Sequence, residues 1–176
     1  MQRMIKILFV CHGNICRSPM AEFIFKDMVS KAGLQDEFYV ESAATSSEEI
    51  WRGVGNPIYP PARRELEEHG VPYEDHRAVQ ITKADYDRFD LLIGMDLNNL
   101  SGMRWITGGD PQGKMHLLLD YTDRRGDVAD PWYSGNFRKA WNDIYEGCEA
   151  LLYHLSELHG LKYNRIPKKA RKHGGK

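Results

Sequence analysis

The chain has 176 residues, of which 41% are hydrophobic and 28% are charged, and this composition is typical of a globular domain. The length suits one domain with or without a tail, and the composition excludes a chain that is disordered throughout, collagen-like or a coiled coil. A net charge of −1 favours neither a nucleic-acid nor an acidic partner, and three cysteines are too few for a secreted disulfide scaffold, so we expect a cytoplasmic protein.

Short apolar runs alternate along the chain with segments of helical periodicity. Residues 5–10 predict a buried strand, and a helix is predicted to follow, with Ser18 as its N-cap and Pro19 at its first position. Further strands are predicted at residues 38–41, 90–94 and 114–118. Further helices are predicted at residues 62–69, 96–100 and 134–158. This alternation indicates an α/β domain with a parallel sheet, and no apolar stretch approaches the roughly 20 residues of a membrane span.

The C-terminal segment differs from the rest of the chain. Residues 162–176 contain seven Lys or Arg and no Asp or Glu, which predicts a disordered basic tail after a domain formed by residues 1–161. Such a tail is usually a solvated extension. Binding to nucleic acid or to an anionic membrane is the alternative, although no nucleic-acid partner is expected from the chain as a whole.

The most informative segment is the loop CHGNICRSP at residues 11–19, between the first strand and the first helix. Open α/β sheets bind ligands at this edge, where backbone N–H groups and the helix N-terminus attract anions. Gly13 and Asn14 permit the left-handed backbone turns that such a loop needs. The loop therefore predicts a phosphate-binding site.

Cys11 and Arg17 stand at the two ends of this loop. N–H groups around a cysteine favour the nucleophilic thiolate, and a guanidinium can hold two phosphate oxygens at once. Cys16 has no Arg six positions further on, because residue 22 is Glu, so Cys11 is the predicted nucleophile. A buried structural cysteine beside a surface arginine is the alternative.

Attack of a thiolate on a phosphoester requires an acid for the leaving oxygen. The best candidate is Asp130 in the segment DVADPWY, where Trp132 and Tyr133 would form walls of a substrate pocket. From these residues alone, a plain Asp-Pro turn with two partly buried aromatic side chains is the simpler interpretation.

Six segments in order, VCHGNICRSPMAE, SAATS, GNPIYPPAR, HRA, FDLLIGMD and DVADPWY, resemble the low-molecular-weight protein tyrosine phosphatase family, over roughly residues 4–160. The resemblance implies a single three-layer α/β domain, with a four-stranded parallel sheet and helices on both faces (phosphotyrosine protein phosphatase I-like, flavodoxin-like). It implies hydrolysis of protein phosphotyrosine and aryl phosphates through a phosphocysteine, without metal or cofactor. The substrate would be a phosphotyrosine-containing protein, and a bacterial tyrosine kinase is one candidate.

The resemblance also implies a role for each matching residue. Cys11 would attack phosphorus, Arg17 would hold the phosphoryl group, and Asp130 would donate a proton and then activate water. Ser18 would donate a hydrogen bond to the thiolate, and the loop support would come from Asn14, Ser42 and His76. The phosphate-binding loop would comprise His12, Gly13, Asn14, Ile15, Cys16 and Ser18.

Four positions modify this expectation. Residues 51–54 look like an insertion, so Trp51 either stacks on the substrate ring or lies exposed on the surface. Ile15 favours a phenyl ring, whereas related arginine phosphatases carry Thr there. Cys16 is either a redox partner that protects Cys11 or a buried residue at the helix start, and Cys148 lies on an apolar helical stripe.

Other functions on the same fold remain open at this point. One is a phosphoarginine phosphatase, and another is an arsenate reductase, which needs a further cysteine pair beyond residue 80 although none lies between Cys16 and Cys148. A third is a phosphate-binding regulatory module without catalysis, docked through the basic tail.

Overall fold

The computed structural model describes residues 3–164. Its strands are β1 (Ile5–Cys11), β2 (Phe38–Ala44), β3 (Ile50–Trp51), β4 (Val54–Gly55), β5 (Leu91–Gly94) and β6 (Met115–Leu117). Its α-helices are α1 (Arg17–Lys31), α2 (Pro60–Glu68), α3 (Asp85–Arg88), α4 (Leu97–Thr107), α5 (Pro131–Ser134) and α6 (Phe137–His159). The four helices that were predicted to begin near residues 18, 62, 96 and 134 are all present, and the differences in their boundaries are described below.

Four strands form one parallel sheet in the order β2-β1-β5-β6, which confirms the predicted fold class. Side chains alternate between the two faces of a strand, and β1 shows this clearly. Ile7 and Phe9 join the core that contains residues of α1 and α6, whereas Leu8 and Val10 join the core that contains residues of α3 and α4. Helices therefore cover both faces, and β1 lies inside the sheet.

The central position of β1 brings the ends of two strands together at one edge of the sheet. Val10 pairs with Gly94, so the loop that follows β1 lies beside the segment that follows β5. On its other side, the N–H of Thr45 donates to the carbonyl of Cys11 at 3.0 Å. The segments that follow β2 and β5 thus flank residues 11–17 on either side.

The boundaries of three predicted helices are wrong. The helix predicted at residues 96–100 is α4, which continues to Thr107 and ends where Gly108 adopts φ +86°. The first helix begins at Arg17, with Cys16 rather than Ser18 in the N-cap position, because the Ser18 hydroxyl faces inward to the site described below. The segment predicted as one helix over residues 134–158 forms two helices, α5 and α6. Gly135 adopts φ +72°, which ends α5, and Asn136 then caps α6 by accepting a hydrogen bond from the N–H of Lys139.

Residues 50–55 form a β-hairpin that was not predicted. Arg52 (φ +49°) and Gly53 (φ +77°) occupy the two turn positions, and two left-handed residues match the type I′ turn that suits tight hairpins. Gly55 anchors the hairpin, because a Cβ atom there would lie only 1.9 Å from the carbonyl oxygen of Ala78. The segment that looks like a four-residue insertion, residues 51–54, is therefore part of this hairpin.

Past α6, Leu161 and Tyr163 pack against the main core. The remainder of the predicted tail, from residue 165, lies outside the described residues, so the division into residues 1–161 and 162–176 stays a prediction. No helix within residues 3–164 is both long enough and apolar enough to cross a membrane.

Candidate active site

The loop after β1 forms a concave array of backbone N–H groups. Asn14 adopts φ +58°, and its N–H donates to the Cys11 sulfur at 3.3 Å. Within residues 3–164, the N–H groups of Gly13, Ile15 and Cys16 donate to no other residue. Left-handed turns that leave successive N–H groups free create binding sites for anions.

The side chain of Asn14 holds this loop in shape from below. Its amide Nδ2 donates to the hydroxyl oxygens of Ser18 at 2.8 Å and Ser42 at 3.0 Å, and its Oδ1 accepts from the N–H of Val79 at 3.1 Å. Asn14 is completely buried, so these hydrogen bonds replace those that water would supply. The structure brings together Asn14 and Ser42 as expected.

Two further residues, Glu22 and His76, support Asn14 and its partner Ser42, and Glu22 was not predicted from the sequence. The Ser42 hydroxyl donates to Glu22 at 2.6 Å, and the His76 Nε2 lies 3.1 Å from the Asn14 Oδ1. Burial lowers the pKa of His76, and the negative charge of Glu22 opposes this change. Glu22 lies one helical turn after Ser18, and this i,i+4 spacing is the signal that could have revealed it.

Cys11 and Ser18 are in direct contact at the base of the loop. Their side-chain atoms Sγ and Oγ are 3.0 Å apart, and both residues are buried. Ser18 accepts a hydrogen bond from the Asn14 amide, so its own proton can be donated, and the Cys11 sulfur at 3.0 Å is closer than the alternative acceptor, the Ala43 carbonyl at 3.5 Å. Ser18 therefore lies where it can stabilise a Cys11 thiolate.

Arg17 is a buried cation, with only 2% of the residue exposed, and hydrogen bonds hold its side chain in place. Its Nη1 donates to the Asp96 carboxylate at 2.7 Å and to the Val128 carbonyl at 2.8 Å. Burial alone lowers the pKa of Arg17, but Cys11 and Asp96 together raise that pKa above its ordinary value. Arg17 thus remains a buried cation with a fixed orientation.

Asp96 was expected only as the start of a helix, and the structure gives it a second contact. One carboxylate oxygen accepts the N–H of Asn99 and caps α4, while the other binds Arg17. Asp96 follows β5, and β5 is the neighbour of β1. Because the carboxyl ends of neighbouring parallel strands lie at the same edge of the sheet, the positions of Arg17 after β1 and Asp96 after β5 could have predicted this pairing.

Asp130 faces the same guanidinium group. Its Oδ2 lies 3.4 Å from the Arg17 Nη2, and its Oδ1 accepts the N–H of Trp132 at 3.0 Å, at the start of α5. Both interpretations of the sequence therefore hold, because Asp130 forms the Asp-Pro turn and also contacts Arg17. Trp132 packs with its ring centre 4.9 Å from that of Tyr59 and is 54% exposed, whereas Tyr133 is 86% exposed.

A cavity of about 120 Å³ opens above the loop, and its floor and walls contain most of the predicted residues. The lining residues are Cys11, His12, Gly13, Ile15, Cys16, Arg17, Glu48, Glu49, Asp130, Trp132 and Tyr133. Trp51 does not line it. The hairpin carries Trp51 into solvent, where 74% of the residue is exposed and the Arg52 guanidinium lies 5.7 Å from the ring centre.

The other two cysteines differ from Cys11 in their surroundings. Cys16 lines the cavity, and burial, with a contribution from Cys11, raises the pKa of its thiol. Cys148 lies on the face of α6 that enters the core, which agrees with its expected structural role. All three cysteines are free, so a redox partnership of Cys16 with Cys11 stays a prediction. Within residues 3–164, no group of three or more His, Cys, Asp or Glu side chains is arranged to hold a metal ion.

A cysteine at the base of a strand–loop–helix phosphate cradle, with an arginine and an aspartate across the same cavity, defines a cysteine-dependent phosphatase site. The family model described as low molecular weight phosphotyrosine protein phosphatase matches residues 6–161. The chain belongs to this family, which confirms the resemblance seen in the sequence.

Individual relatives agree with this assignment. The low molecular weight protein-tyrosine-phosphatase YfkJ of Bacillus subtilis is 40% identical over 151 residues, which are 85% of this chain and 94% of YfkJ. The crystal structure of YfkJ superposes with a TM-score of 0.84 and 37% identity, covering 89% of this chain and 98% of the other. The arginine phosphatase DARP of Drosophila superposes with a TM-score of 0.75 and 34% identity, covering 86% of this chain and 98% of DARP.

Proposed function

We propose that this protein hydrolyses phosphotyrosine in proteins through a phosphocysteine at Cys11. The observation that carries the proposal is the convergence of three side chains on one cavity. The Cys11 sulfur lies at its floor with the free N–H groups, and Arg17 and Asp130 line it side by side, with Nη2 and Oδ2 3.4 Å apart. Membership of the family supports the same reaction.

In the first step, the Cys11 thiolate attacks phosphorus, and a sulfur–phosphorus bond forms as the bond from phosphorus to the phenolic oxygen breaks. Asp130 donates its proton to that oxygen, so tyrosine leaves as the neutral phenol. The loop N–H groups and Arg17 hold the three equatorial oxygens, which carry the charge of the transition state. Ser18 stabilises the thiolate, because its hydroxyl lies 3.0 Å from the sulfur.

In the second step, water attacks the phosphocysteine and the sulfur leaves as a thiolate. Asp130, now without its proton, takes one from this water, and inorganic phosphate departs. Asn14, Ser42 and His76 act as positioning residues, because they touch the loop and do not reach the cavity.

The cavity wall favours an aryl phosphate over a phosphorylated guanidinium. Ile15 lines the cavity with an apolar surface, and Trp132 adds an aromatic one. An arginine phosphatase shares this fold, so the proposed preference for phosphotyrosine over phosphoarginine rests on the residues of the cavity wall and not on the fold. An arsenate reductase is not favoured, because that activity needs a further cysteine pair beyond residue 80, and the one cysteine there, Cys148, lies in the core.

We infer that the partner is a phosphotyrosine-containing protein, and a bacterial tyrosine kinase is one candidate for it. The three free cysteines support a reducing compartment, which is the reason for proposing the cytoplasm. No nucleic-acid partner is proposed from the domain, whose residues up to 161 carry a net charge of −8.

The test is turnover of a phosphotyrosyl peptide, the same peptide with phosphoarginine, and an aryl phosphate, by the wild type and Cys11→Ser. The account expects hydrolysis of the tyrosyl and aryl substrates, a much lower kcat/KM for phosphoarginine, and a loss of at least about a thousandfold in Cys11→Ser. Equal rates for wild type and Cys11→Ser would contradict the mechanism, and a preference for phosphoarginine would contradict the substrate.

A further inference from the structure

The charges of the cavity change sign between its floor and its mouth. At the floor lie Arg17 and the free N–H groups of the loop, which suit a phosphoryl dianion. Apart from Asp130, which holds the proton for the leaving group, the remaining lining residues include the carboxylates of Glu48 and Glu49 and no Lys or other Arg. A phosphorylated side chain therefore passes between negative groups before its phosphate reaches the positive floor.

Glu49 is fixed against the phosphate-binding loop. A Cβ atom on Gly13 would lie 3.2 Å from the Glu49 Cγ, so this side chain packs directly on the loop. The amide of Asn56 donates to the Glu49 carboxylate at 2.7 Å, and the N–H of Asn56 donates to the Glu49 carbonyl at 2.8 Å. Among the described residues, no Lys or Arg pairs with this carboxylate, so its negative charge is not neutralised within residues 3–164.

Glu48 is the more exposed of the two. The Nε2 of His12 lies 3.0 Å from its Oε2, and both side chains are more than half exposed. Within residues 3–164, His12 is the one Lys, Arg or His side chain that lies within ion-pair distance of the Glu48 carboxylate. The two glutamates follow one another in sequence and lead directly into the hairpin of β3 and β4.

We propose that Glu48 and Glu49 select phosphotyrosine that lies close to Lys or Arg in the substrate protein. This inference rests on the proposed function, whose site it extends to the residues beside the phosphotyrosine. An extended peptide advances about 3.3–3.6 Å per residue, so a residue two positions away lies roughly 7 Å from the tyrosine. A long cationic side chain from that distance reaches the mouth of the cavity, whereas an acidic one is repelled there.

The expected size of the preference follows from exposed ion pairs. One such pair changes affinity by a factor of about 1.4 to 5, and replacing an attraction by a repulsion adds to this. For two carboxylates, we expect kcat/KM for a lysine-flanked peptide to exceed that for its glutamate-flanked counterpart about tenfold at low ionic strength. In 1 M salt the Debye length falls to about 3 Å, and the ratio should approach one.

The experiment compares two phosphotyrosyl peptides that differ only in Lys or Glu two residues to either side of the tyrosine. The ratio of their kcat/KM values is measured for the full chain at low and high salt, so each enzyme serves as its own reference. Glu48→Gln with Glu49→Gln should reduce the ratio to about twofold or less, and Glu48→Lys with Glu49→Lys should invert it. The control, Glu74→Gln with Glu157→Gln, removes the same charge at exposed positions outside the cavity and should keep the tenfold ratio.

Turnover of both peptides at equal kcat/KM by the wild type at low salt would overturn the preference while leaving the proposed function intact. A ratio that survives the Gln variants would also overturn it, because the charges responsible would then lie elsewhere. If neither peptide nor an aryl phosphate were hydrolysed, the proposed function itself would fail, and the preference with it. If a variant does not fold, the wild type alone still tests the proposal, because its kcat/KM ratio for the two peptides must fall towards one at high salt.

Discussion

At the scale of single residues, the site depends on side chains that are held before any substrate arrives. Arg17 has one nitrogen bound by Asp96 and the Val128 carbonyl, so the guanidinium cannot rotate away from the cavity. Asp130 is held in the same way by the N–H of Trp132. Such preorganisation lowers the cost of charge development, because the groups need not reorient during the reaction.

The role of Asp130 predicts how its replacement depends on the leaving group. Asp130→Asn keeps an oxygen that can accept the Trp132 N–H but removes the proton that the departing oxygen needs. We expect kcat for phenyl phosphate to fall by about a hundredfold or more, and kcat for p-nitrophenyl phosphate, whose phenolate leaves easily, to fall much less. Steady-state kinetics on both substrates measure the difference.

The control is Asp127→Asn in the same loop, since Asp127 accepts the Leu97 N–H and does not line the cavity. It should affect the two substrates alike. Equal losses on both substrates in Asp130→Asn would exclude this residue as the general acid.

Cys11 and Arg17 could be selected from the local pattern of the loop between β1 and α1, whereas Asp130 was preferred to a plain Asp-Pro turn only through the family resemblance. Glu22 and Asp96 were not recognised, since each acts through a partner distant in the chain, Ser42 at 20 positions and Arg17 at 79. Local patterns contain no direct information about such contacts until the strand order is known.

At the scale of elements, the strand–loop–helix unit of β1 and α1 was predictable, whereas the hairpin of β3 and β4 was not. The first follows from a continuous apolar run and a helical period. The second has strands of only two residues, and its turn carries Arg52 in a left-handed conformation that is unusual for that residue type. The boundary between α5 and α6 was missed because Gly135 reads equally well as a tolerated helical glycine.

The packing of the hairpin predicts a stability difference between two glycines. Gly55→Ala should lower the free energy of unfolding by about 1–3 kcal/mol, because its Cβ would overlap the Ala78 carbonyl. Gly53→Asn should change it by only a few tenths of a kcal/mol, since Asn tolerates positive φ and nothing lies within 4 Å. Urea denaturation measures both, and equal stability of the two variants would show that the hairpin is not anchored at Gly55.

At the scale of the whole molecule, charge is divided unevenly along the chain. Residues 165–176 carry six Lys or Arg and no Asp or Glu, so the net charge of −1 hides an acidic domain. An acidic domain that binds a dianion must rely on local groups, here Arg17 and the loop N–H groups, and not on its overall field. The basic segment could be recognised from its composition alone, because counting charges requires no knowledge of the fold.

Removal of residues 165–176 therefore should not affect catalysis on a small substrate. We expect kcat/KM for an aryl phosphate to stay within about twofold at physiological ionic strength, where the Debye length is about 8 Å. Steady-state kinetics of the chain truncated after Asn164 provide the measurement. A tenfold loss would show that these residues contribute to the site.

The central claim is the covalent intermediate, and rapid acid quenching during turnover tests it most directly. Mass spectrometry of the digested protein should find a phosphoryl group on the peptide that contains Cys11, and Asp130→Asn should accumulate it if water activation is slowed more than attack. Cys11→Ser should carry no such adduct and should not turn over. A phosphoryl group on another residue, or retained turnover in Cys11→Ser, would contradict the account.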